Sequence, residues 1–513
     1  MSRKIFLVLL VALAVAGCVQ YAGQDGSARP SAERQSVELE DGAVYSITAS
    51  EVIKNINGKE HQMYAYNGMI PGPLLKVAQG SRISIEFKND LRHETTVHWH
   101  GLRHNVKDDG VPDMSQEPVK RGGKYTYNLY FPDAGIYWYH PHVREDEQQD
   151  LGLAGNILVA PKEPIYNQVN REEVLMLDDI YIDNKGIVPY GKDGSNFALM
   201  GRYGNVMLLN GKTNYSLEVS RGDVVRFYLT DASNARPFNI SIPGARMKLI
   251  GSDIGVYEKE EYSDSVVIAP GERYTIEAYF ENVGEYKIMN VNPEKEYELG
   301  KIIVSDKETA NDYSAYFTSL KDNAEITDFK QYFDKEADYN LRLSIDSSMM
   351  MAGRMGMEGM PCHRMSDGTM MGNCGDSQDT EPIEWEDTMR MMNSQATSDN
   401  TKWIIHDEET GKENMDITMM ASIGDKVKIS IFNDPESMHP MQHPIHLHGQ
   451  RFLVLTVDGK HVVNQVWKDT VLVPIGSKID ILVDATNPGQ WMFHCHISEH
   501  LEAGMMSKFI VNG

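Results

Sequence analysis

The chain has 513 residues and a formal net charge of −25. Its length suggests about three domains of ordinary size, and a hydrophobic content of 41% indicates a globular protein. The negative charge argues against nucleic acid and against an anionic membrane surface as partners, and it modestly favours cationic ones. We therefore expect a folded, multidomain protein that binds no nucleic acid.

The N-terminus, MSRKIFLVLLVALAVAGC, is typical of an export signal. Two basic residues precede an apolar run, Ile5 to Ala16, that is too short for an ordinary membrane span. The run ends in VAGC, which resembles a bacterial lipobox, and a polar stretch follows. We expect a lipoprotein signal peptide over 1–18, lipidation of Cys18, a tether over 19–36, and an exported protein that is lipid-anchored in the cell envelope. The alternative is an ordinary signal peptide with an incidental cysteine.

Two sequence motifs each occur three times. The first comprises GSRISIEFKND (80–90), GDVVRFYLTD (222–231) and GDKVKISIFND (424–434), in which apolar and polar residues alternate with the period of a half-buried strand. The second is a strand, a glycine-containing turn and an aromatic residue on the next strand, at 122–140, 270–288 and 474–494. The repeats predict an all-β fold of three consecutive β-sandwich domains, over 37–162, 163–308 and 309–513.

A methionine-rich segment interrupts the third unit at about 347–398. It begins MMMAGRMGMEGMPCHRMSDGTMMGNC and shows no helical or strand period. Its glycine, serine and aspartate content argues against burial, and exposed thioethers prefer Cu(I). We expect it to acquire copper, and the candidate Cu(I) ligands are Met355, Met357, Met360, Met365, Met370 and Met371. The alternatives are a flexible insert without a metal role and, for Cys362 and Cys374, either a disulfide or Cu(I) thiolates.

Four His-x-His pairs stand at matched positions of the first and third units. They are His98 and His100, His140 and His142, His446 and His448, and His494 and His496. The middle unit has Asn239 and Ser241 at the places of the first pair. Residues i and i+2 of a strand face the same side, so each pair presents two imidazoles on one face. The pattern predicts a metal cluster shared by the first and third domains.

Cys495 lies between two of these histidines and therefore points to the opposite face of its strand. That face can collect His443, His500 and Met505. Two histidines, a thiolate and a weak axial methionine form the blue-copper electron-transfer arrangement. One strand would then serve two metal sites, with a short through-bond route between them.

These motifs resemble those of the multicopper oxidases, including laccases and bacterial cuprous oxidases. The residues are HWHG (98–101), HPHVREDEQQDLGLAG (140–155), HPIHLHG (443–449) and HCHISEHLEAGM (494–505), in the family's order. The likeness spans roughly 36–513. It implies that each domain is a cupredoxin-like Greek-key β-sandwich, and that the middle one has no copper ligands.

The resemblance also implies four copper ions and a ligand set for each. The type 1 copper would be held by His443, Cys495 and His500 with Met505 axial, the type 2 copper by His98 and His446, and the type 3 pair by His100, His140, His142, His448, His494 and His496. Asp109 lies where the family keeps a carboxylate that helps supply protons, although an Asp-Gly turn would also explain it. Leu501 stands where many bacterial members have an acid, with Glu499 or Glu502 as possible substitutes.

The reaction implied is the oxidation of a donor in four one-electron steps, coupled to reduction of dioxygen to two waters. We expect the donor to be Cu(I), converted to the less permeant Cu(II) for copper tolerance, because an axial methionine suits easily oxidised donors. The alternatives are a laccase-like oxidase of phenols, an oxidase of Fe(II) or Mn(II), and a non-enzymatic copper-binding or structural cupredoxin lipoprotein. We expect a monomer whose partners are dioxygen and a small reducing substrate.

Overall fold

The computed structural model describes residues 28–348, 363–364, 370–371 and 382–513. The ligands predicted for the type 1, type 2 and type 3 coppers, and Asp109, all lie within these ranges. Several other predicted residues lie outside them, namely Cys18, Met355, Met357, Met360, Cys362, Met365 and Cys374. Met370 and Met371 form a two-residue strand.

The first unit consists of two five-stranded sheets whose buried faces share one hydrophobic core. Its strands are β1 (Arg29–Pro30), β2 (Ser36–Leu39), β3 (Val44–Ile56), β4 (Lys59–Tyr66), β5 (Leu74–Ala78), β6 (Arg82–Asn89), β7 (His98–His100), β8 (Lys124–Tyr130), β9 (Gly135–His140) and β10 (Gly155–Ala160). A 3-10 helix spans Val106–Asp108 and a short helix α1 spans Glu145–Gln148.

The second unit has a six-stranded and a five-stranded sheet around its own core. Its strands are β11 (Arg171–Ile180), β12 (Val206–Leu209), β13 (Tyr215–Arg221), β14 (Val224–Asp231), β15 (Phe238–Ser241), β16 (Arg246–Ser252), β17 (Val256–Tyr262), β18 (Val266–Ile268), β19 (Arg273–Tyr279), β20 (Gly284–Val291) and β21 (Glu296–Glu308). Helix α2 (Ser314–Thr318) and a 3-10 helix (Thr327–Tyr332) lead into the third unit.

The third unit repeats the six-plus-five arrangement around a third core. Its strands are β22 (Tyr339–Ser347), β23 (His363–Arg364), β24 (Met370–Met371), β25 (Thr401–Asp407), β26 (Thr418–Ser422), β27 (Lys426–Asn433), β28 (His443–Leu447), β29 (Arg451–Val457), β30 (Lys460–His461), β31 (Thr470–Val473), β32 (Lys478–Asp484), β33 (Gly489–Cys495) and β34 (Met506–Asn512). The helices are α3 (Arg390–Asn393), a 3-10 helix (Asn414–Asp416) and α4 (Ser498–Glu502).

One five-stranded sheet of each unit contains the same run of four strands. The runs are β5-β10-β9-β7, β13-β21-β20-β15 and β26-β34-β33-β28, and the fifth strand is β2 at one edge of the first sheet and β18 or β31 at the opposite edge of the other two. The three repeats predicted as strands correspond to β6, β14 and β27. The prediction of an all-β fold with three consecutive cupredoxin-like sandwiches is therefore confirmed, while the domain boundaries stay predictions.

The histidine motifs lie on neighbouring antiparallel strands of these sheets. His98 on β7 pairs with His140 on β9, and His446 on β28 pairs with His494 on β33. The alternation of side chains along a strand then directs the histidines of both units toward one space. Among the described residues, no helix has the length and apolar content needed to cross a membrane.

Candidate metal centre

The eight paired histidines converge in one buried cluster between the first and third units. The most exposed of them is His142, at 8%. They form three groups whose ligand nitrogens lie within 4.8 Å of one another, made of His98, His100 and His446, of His100, His140 and His496, and of His142, His448 and His494. The last two groups together contain all six residues predicted for the type 3 pair.

Four of the eight rings have one nitrogen held by a carbonyl oxygen. The Nδ1 atoms of His98, His140, His446 and His494 donate to the carbonyls of Asp109, Pro141, Asp469 and Cys495 at 2.8, 2.9, 2.8 and 2.8 Å. Because a carbonyl only accepts, the hydrogen is on Nδ1 and Nε2 keeps its lone pair. The Nε2 atoms of His98, His140 and His446 are buried and have no hydrogen-bond partner in the part of the chain that the structure describes.

His100 and His448 complete the same pattern through side-chain acceptors. His100 Nε2 donates to Asp469 Oδ1 at 3.0 Å, so its Nδ1 faces the cluster, 3.2 Å from His496 Nε2. His448 Nδ1 donates to Asp109 Oδ2 at 2.9 Å, which leaves its Nε2 2.9 Å from His494 Nε2. Lone pairs that face one another in a buried space fit bound cations, and this donor set fits copper.

The protonation states of the rings favour metal binding. Burial first, and then the charges of His98 and other neighbours, lowers the pKa of His142 to about 3. Burial and neighbouring imidazoles also hold the pKa values of His140, His448 and His494 well below the usual range. These four rings are therefore neutral near pH 7, and neutral imidazole is the form that ligates metals.

A second buried group lies on the opposite face of β33. Cys495 Sγ is 3.5 Å from His443 Nδ1 and 3.8 Å from His500 Nδ1, and these two nitrogens are 3.3 Å apart. Met505 is fully buried in the same core, and its carbonyl accepts from the Cys495 backbone N–H at 3.1 Å. The structure thus brings together all four residues predicted for the type 1 site.

Trp403 closes this second group on one side. Its ring stacks on His500 at 4.1 Å between centroids and meets His443 at 4.8 Å, nearly at a right angle. Its indole Nε1 donates to the Ala198 carbonyl at 2.8 Å, which fixes the ring in place. An apolar wall of this kind keeps water away from a metal site and lowers the local dielectric constant.

Asp109 lies at the edge of the histidine cluster. It accepts from His448 through its side chain and from His98 through its backbone. Burial alone would raise its pKa, but the adjacent His448 and His98 hold the pKa well below its usual value. The residue after Asp109 must be glycine, because Gly110 has a φ of +80° and a Cβ there would lie 1.9 Å from the Val97 carbonyl oxygen. Asp109 is thus both part of an Asp-Gly turn and a contact of two cluster histidines.

Leu501 and the neighbouring acids occupy different environments. Leu501 is buried against Val111 and Met492 and offers no polar group. Burial raises the pKa of Glu499 to about 8, and its Oε1 accepts from Asn234 Nδ2 at 2.9 Å. Burial, with Asp146 nearby, also raises the pKa of Glu502 to about 7.

Three residues at the cluster were not among the predicted site residues. They are Glu145, whose Oε1 is 3.3 Å from His142 Nδ1, and Asp469 and Thr470, which both contact His100. Thr470 pairs with His446 across β28 and β31. The signal that would have found it is therefore strand register, because no local motif marks these positions.

Comparison with known proteins matches this arrangement. Three family models, each described as multicopper oxidase, match residues 48–164, 170–309 and 383–513. A multicopper oxidase of Staphylococcus epidermidis is 26% identical over 456 residues, which cover 87% of this chain and 83% of that protein. Copper resistance protein A of Escherichia coli is 25% identical, with 99% of this chain and 98% of that protein covered.

Comparison with solved structures also finds multicopper oxidases. The solved structure of a multicopper oxidase from Campylobacter jejuni, described as a metallo-oxidase, is 23% identical to this chain. It covers 94% of this chain and 96% of its own, with a TM-score of 0.69. At this identity the similarity shows a shared fold.

Proposed function

This chain belongs to the multicopper oxidase family of oxidoreductases, and we propose that its substrate is Cu(I). The overall reaction would convert four Cu(I), one dioxygen and four protons to four Cu(II) and two waters. Bound copper would supply the one-electron redox steps, and the protein would supply the ligands, the route between the sites and the protons. Oxidation outside the cytoplasm would yield the less permeant Cu(II) and so confer copper tolerance.

We assign four coppers to the two clusters. Type 1 copper would be held by His443, Cys495, His500 and Met505, type 2 copper by His98 and His446, and the type 3 pair by His100, His140, His142, His448, His494 and His496. The backbone supports transfer between them, because the Cys495 carbonyl accepts from the ring of His494, a ligand of the other cluster. Asp109, in contact with His98 and His448, is proposed to hold and pass protons.

The observation that favours Cu(I) is a set of soft side chains beside the type 1 group. His439 is 9% exposed, and its Nε2 has no hydrogen-bond partner within the described ranges. Burial lowers the pKa of His439 to about 4, so the ring is neutral. His439 precedes the type 1 ligand His443 by four residues, and burial first, and then His439, lowers the pKa of His443 to about 3.

Four methionines belong to the core of the third unit or pack against it. Met441 is fully buried, and Met438, Met389 and Met392 pack against the core that contains Cys495. Met391, in helix α3 with Met392, is 49% exposed. Thioethers and imidazole together suit Cu(I) better than phenols or hard cations such as Mn(II). Met389, Met391 and Met392 lie at the end of the methionine-rich segment, so the segment and these later residues together would form a path for Cu(I) from solvent to the type 1 site.

The test is whether removing one of these groups slows the oxidation of Cu(I) but not that of a phenol. We would measure oxygen uptake by the copper-loaded full chain with Cu(I) and with a dimethoxyphenol. His439→Ala should lower kcat/KM for Cu(I) by about 10-fold or more, equivalent to ~1.4 kcal/mol of transition-state binding, and leave phenol oxidation unchanged. The matched control is His461→Ala, at a half-exposed histidine whose ring stacks on Phe333.

Two outcomes would count against this proposal. Equal losses with Cu(I) and the phenol would indicate damage to the type 1 site, and no loss with either would remove His439 from the substrate path.

Deleting 349–392 tests the methionine-rich segment in the same way, since Cu(I) oxidation that survives the deletion would exclude a role of the segment in copper acquisition. Faster turnover of phenols than of Cu(I) in the intact chain would favour a laccase-like oxidase.

Export and lipid anchoring are part of the same proposal. We infer lipidation at Cys18 from the lipobox-like VAGC, which would hold the enzyme in the cell envelope where Cu(I) arrives. Mass spectrometry of the mature N-terminus would detect the lipid, and Cys18→Ala should release the protein from the membrane fraction. A mature protein that begins at another residue without lipid would contradict the anchor.

A further inference from the structure

The middle domain has no predicted copper ligand, but the side chain of its Arg273 extends to the histidine cluster. Arg273 is the first residue of β19 and is fully buried. Its two Nη atoms donate to the two carboxylate oxygens of Asp469 at 2.6 and 2.5 Å, a bidentate pair. Its Nε donates to the carbonyl of Ile136 at 3.0 Å. Arg273 therefore joins all three domains at one point.

Asp469 transmits this contact to two proposed copper ligands. Its Oδ1 accepts from His100 Nε2 at 3.0 Å, and its backbone carbonyl accepts from His446 Nδ1 at 2.8 Å. Both rings therefore have their hydrogen on the nitrogen that faces Asp469. The other nitrogen of each ring, His100 Nδ1 and His446 Nε2, is left for the metal.

The backbone packs closely around the Arg273–Asp469 pair. A Cβ on Gly101 (φ +85°) would lie 2.5 Å from Asp469 Oδ2 and 2.7 Å from Arg273 Nη2. A Cβ on Gly271 (φ +85°) would lie 2.7 Å from the ring of His496. The backbone of the first domain and that of the second each approach the site closely enough to require glycine.

We propose that Arg273 is a positioning residue for the copper cluster. By occupying both oxygens of Asp469, it holds the carboxylate in the orientation in which His100 presents Nδ1 to the metal, and it anchors the residue whose backbone carbonyl orients His446. Without the arginine, the carboxylate would be a buried anion free to turn away from His100 or to take up a cation. The inference rests on the copper ligands assigned in the proposed function.

A purely architectural role makes a different prediction, and the chain offers a matched control. Arg226 is another buried arginine of the middle domain, and it donates to Glu277 and Glu172 at 2.7 Å each. None of its hydrogen-bond partners among the described residues is a histidine of the cluster. Loss of either arginine should lower the melting temperature, whereas only loss of Arg273 should alter the copper cluster.

The experiment compares Arg273→Gln, Arg273→Lys and Arg226→Gln in the full chain loaded with copper. The readouts are copper per chain, the blue absorption of the type 1 site, the electron paramagnetic resonance spectrum of the type 2 copper, and Tm. We expect Arg273→Gln to keep the blue absorption, to hold cluster copper about 10–100-fold more weakly, and to show an altered type 2 spectrum. Arg273→Lys should recover part of the loss, and Arg226→Gln should keep the wild-type copper count and spectrum.

A wild-type copper count and type 2 spectrum in Arg273→Gln would overturn the proposal. So would an equal loss of cluster copper in Arg226→Gln. If Arg273→Gln does not fold, the Arg273→Lys spectrum decides in the same way, because lysine keeps the charge but not the bidentate geometry. A wild-type chain with blue absorption but no type 2 signal would refute this inference alone, whereas a wild-type chain that binds no copper would refute the proposed function as well.

Discussion

Replacing Cys495 by serine tests the proposed electron entry site most directly. The thiol is fully buried, lies 3.5 Å from His443 Nδ1 and accepts from the Ile497 backbone N–H at 3.4 Å. A hydroxyl fits the same space but does not form the thiolate bond that defines a blue-copper site. We expect Cys495→Ser to lose the blue absorption, and oxidation of Cu(I) and of phenols to fall together to background.

The metal-free protein should lose little stability in the same variant. Burying a hydroxyl in place of a thiol costs about 1–3 kcal/mol by mutational measures, and the Ile497 N–H and the two imidazoles remain as partners. In a domain of about 200 residues, each kcal/mol lowers Tm by about 2–4 °C. The expected fall is therefore roughly 2–12 °C, far from loss of the fold.

The assay combines oxygen uptake, visible absorption and calorimetry of the metal-free chain. The matched control is Ile445→Val, at a fully buried residue that pairs with Cys495 across the sheet, which removes one methylene and no ligand atom. It should cost about 0.5–1.5 kcal/mol and keep the blue colour. Blue absorption or donor oxidation that persists in Cys495→Ser would refute the type 1 assignment.

Three further predictions follow from individual contacts. Asp109→Asn removes the anion beside His448 and should lower kcat for every donor by about 10²-fold or more without changing the blue absorption; an unchanged kcat would exclude Asp109 from proton supply. Burial raises the pKa of Asp150 from 3.8 to about 7. The Asp150 carboxyl therefore contributes its full stabilisation below pH ~4, and this contribution is lost as the pH rises through ~7. Over this pH range the free energy of unfolding of metal-free Asp150→Asn should fall less than that of the wild type, by up to about 4 kcal/mol. Parallel stability curves would contradict this. Chelation of copper should lower Tm, since ligand at ~1,000 times its Kd stabilises by about 4 kcal/mol; an identical Tm with and without copper would contradict a folded-state site.

The sequence was sufficient for those features that rest on local periodicity. Alternation along a strand predicted β6, β14 and β27 from three repeats, and it predicted that Cys495 and its neighbouring histidines face opposite sides. Both depend only on residues a few positions apart, because side-chain direction in a strand alternates with every residue.

Contacts between distant segments could not be predicted from the sequence in this way. Asp469 and Arg273 are 196 residues apart, and Asp469 and His100 are 369 residues apart. No period or short motif encodes such approaches, since they depend on how the domains pack. The sequence therefore indicated the candidate ligands, but not the residues that orient them.

The middle domain has no ligand histidines and still contacts the cluster. Asn239 and Ser241 stand on β15, the strand that corresponds to β7 and β28, and their side chains donate to carbonyls of their own domain, Val291 at 2.9 Å and Asp264 at 2.8 Å. These positions are thus committed to local hydrogen bonds. The domain meets the cluster instead from β19, through Arg273, in the sheet that does not correspond to the ligand-bearing one. If Arg273→Gln alters the type 2 spectrum, the domain that has no ligands controls the orientation of ligands in the other two.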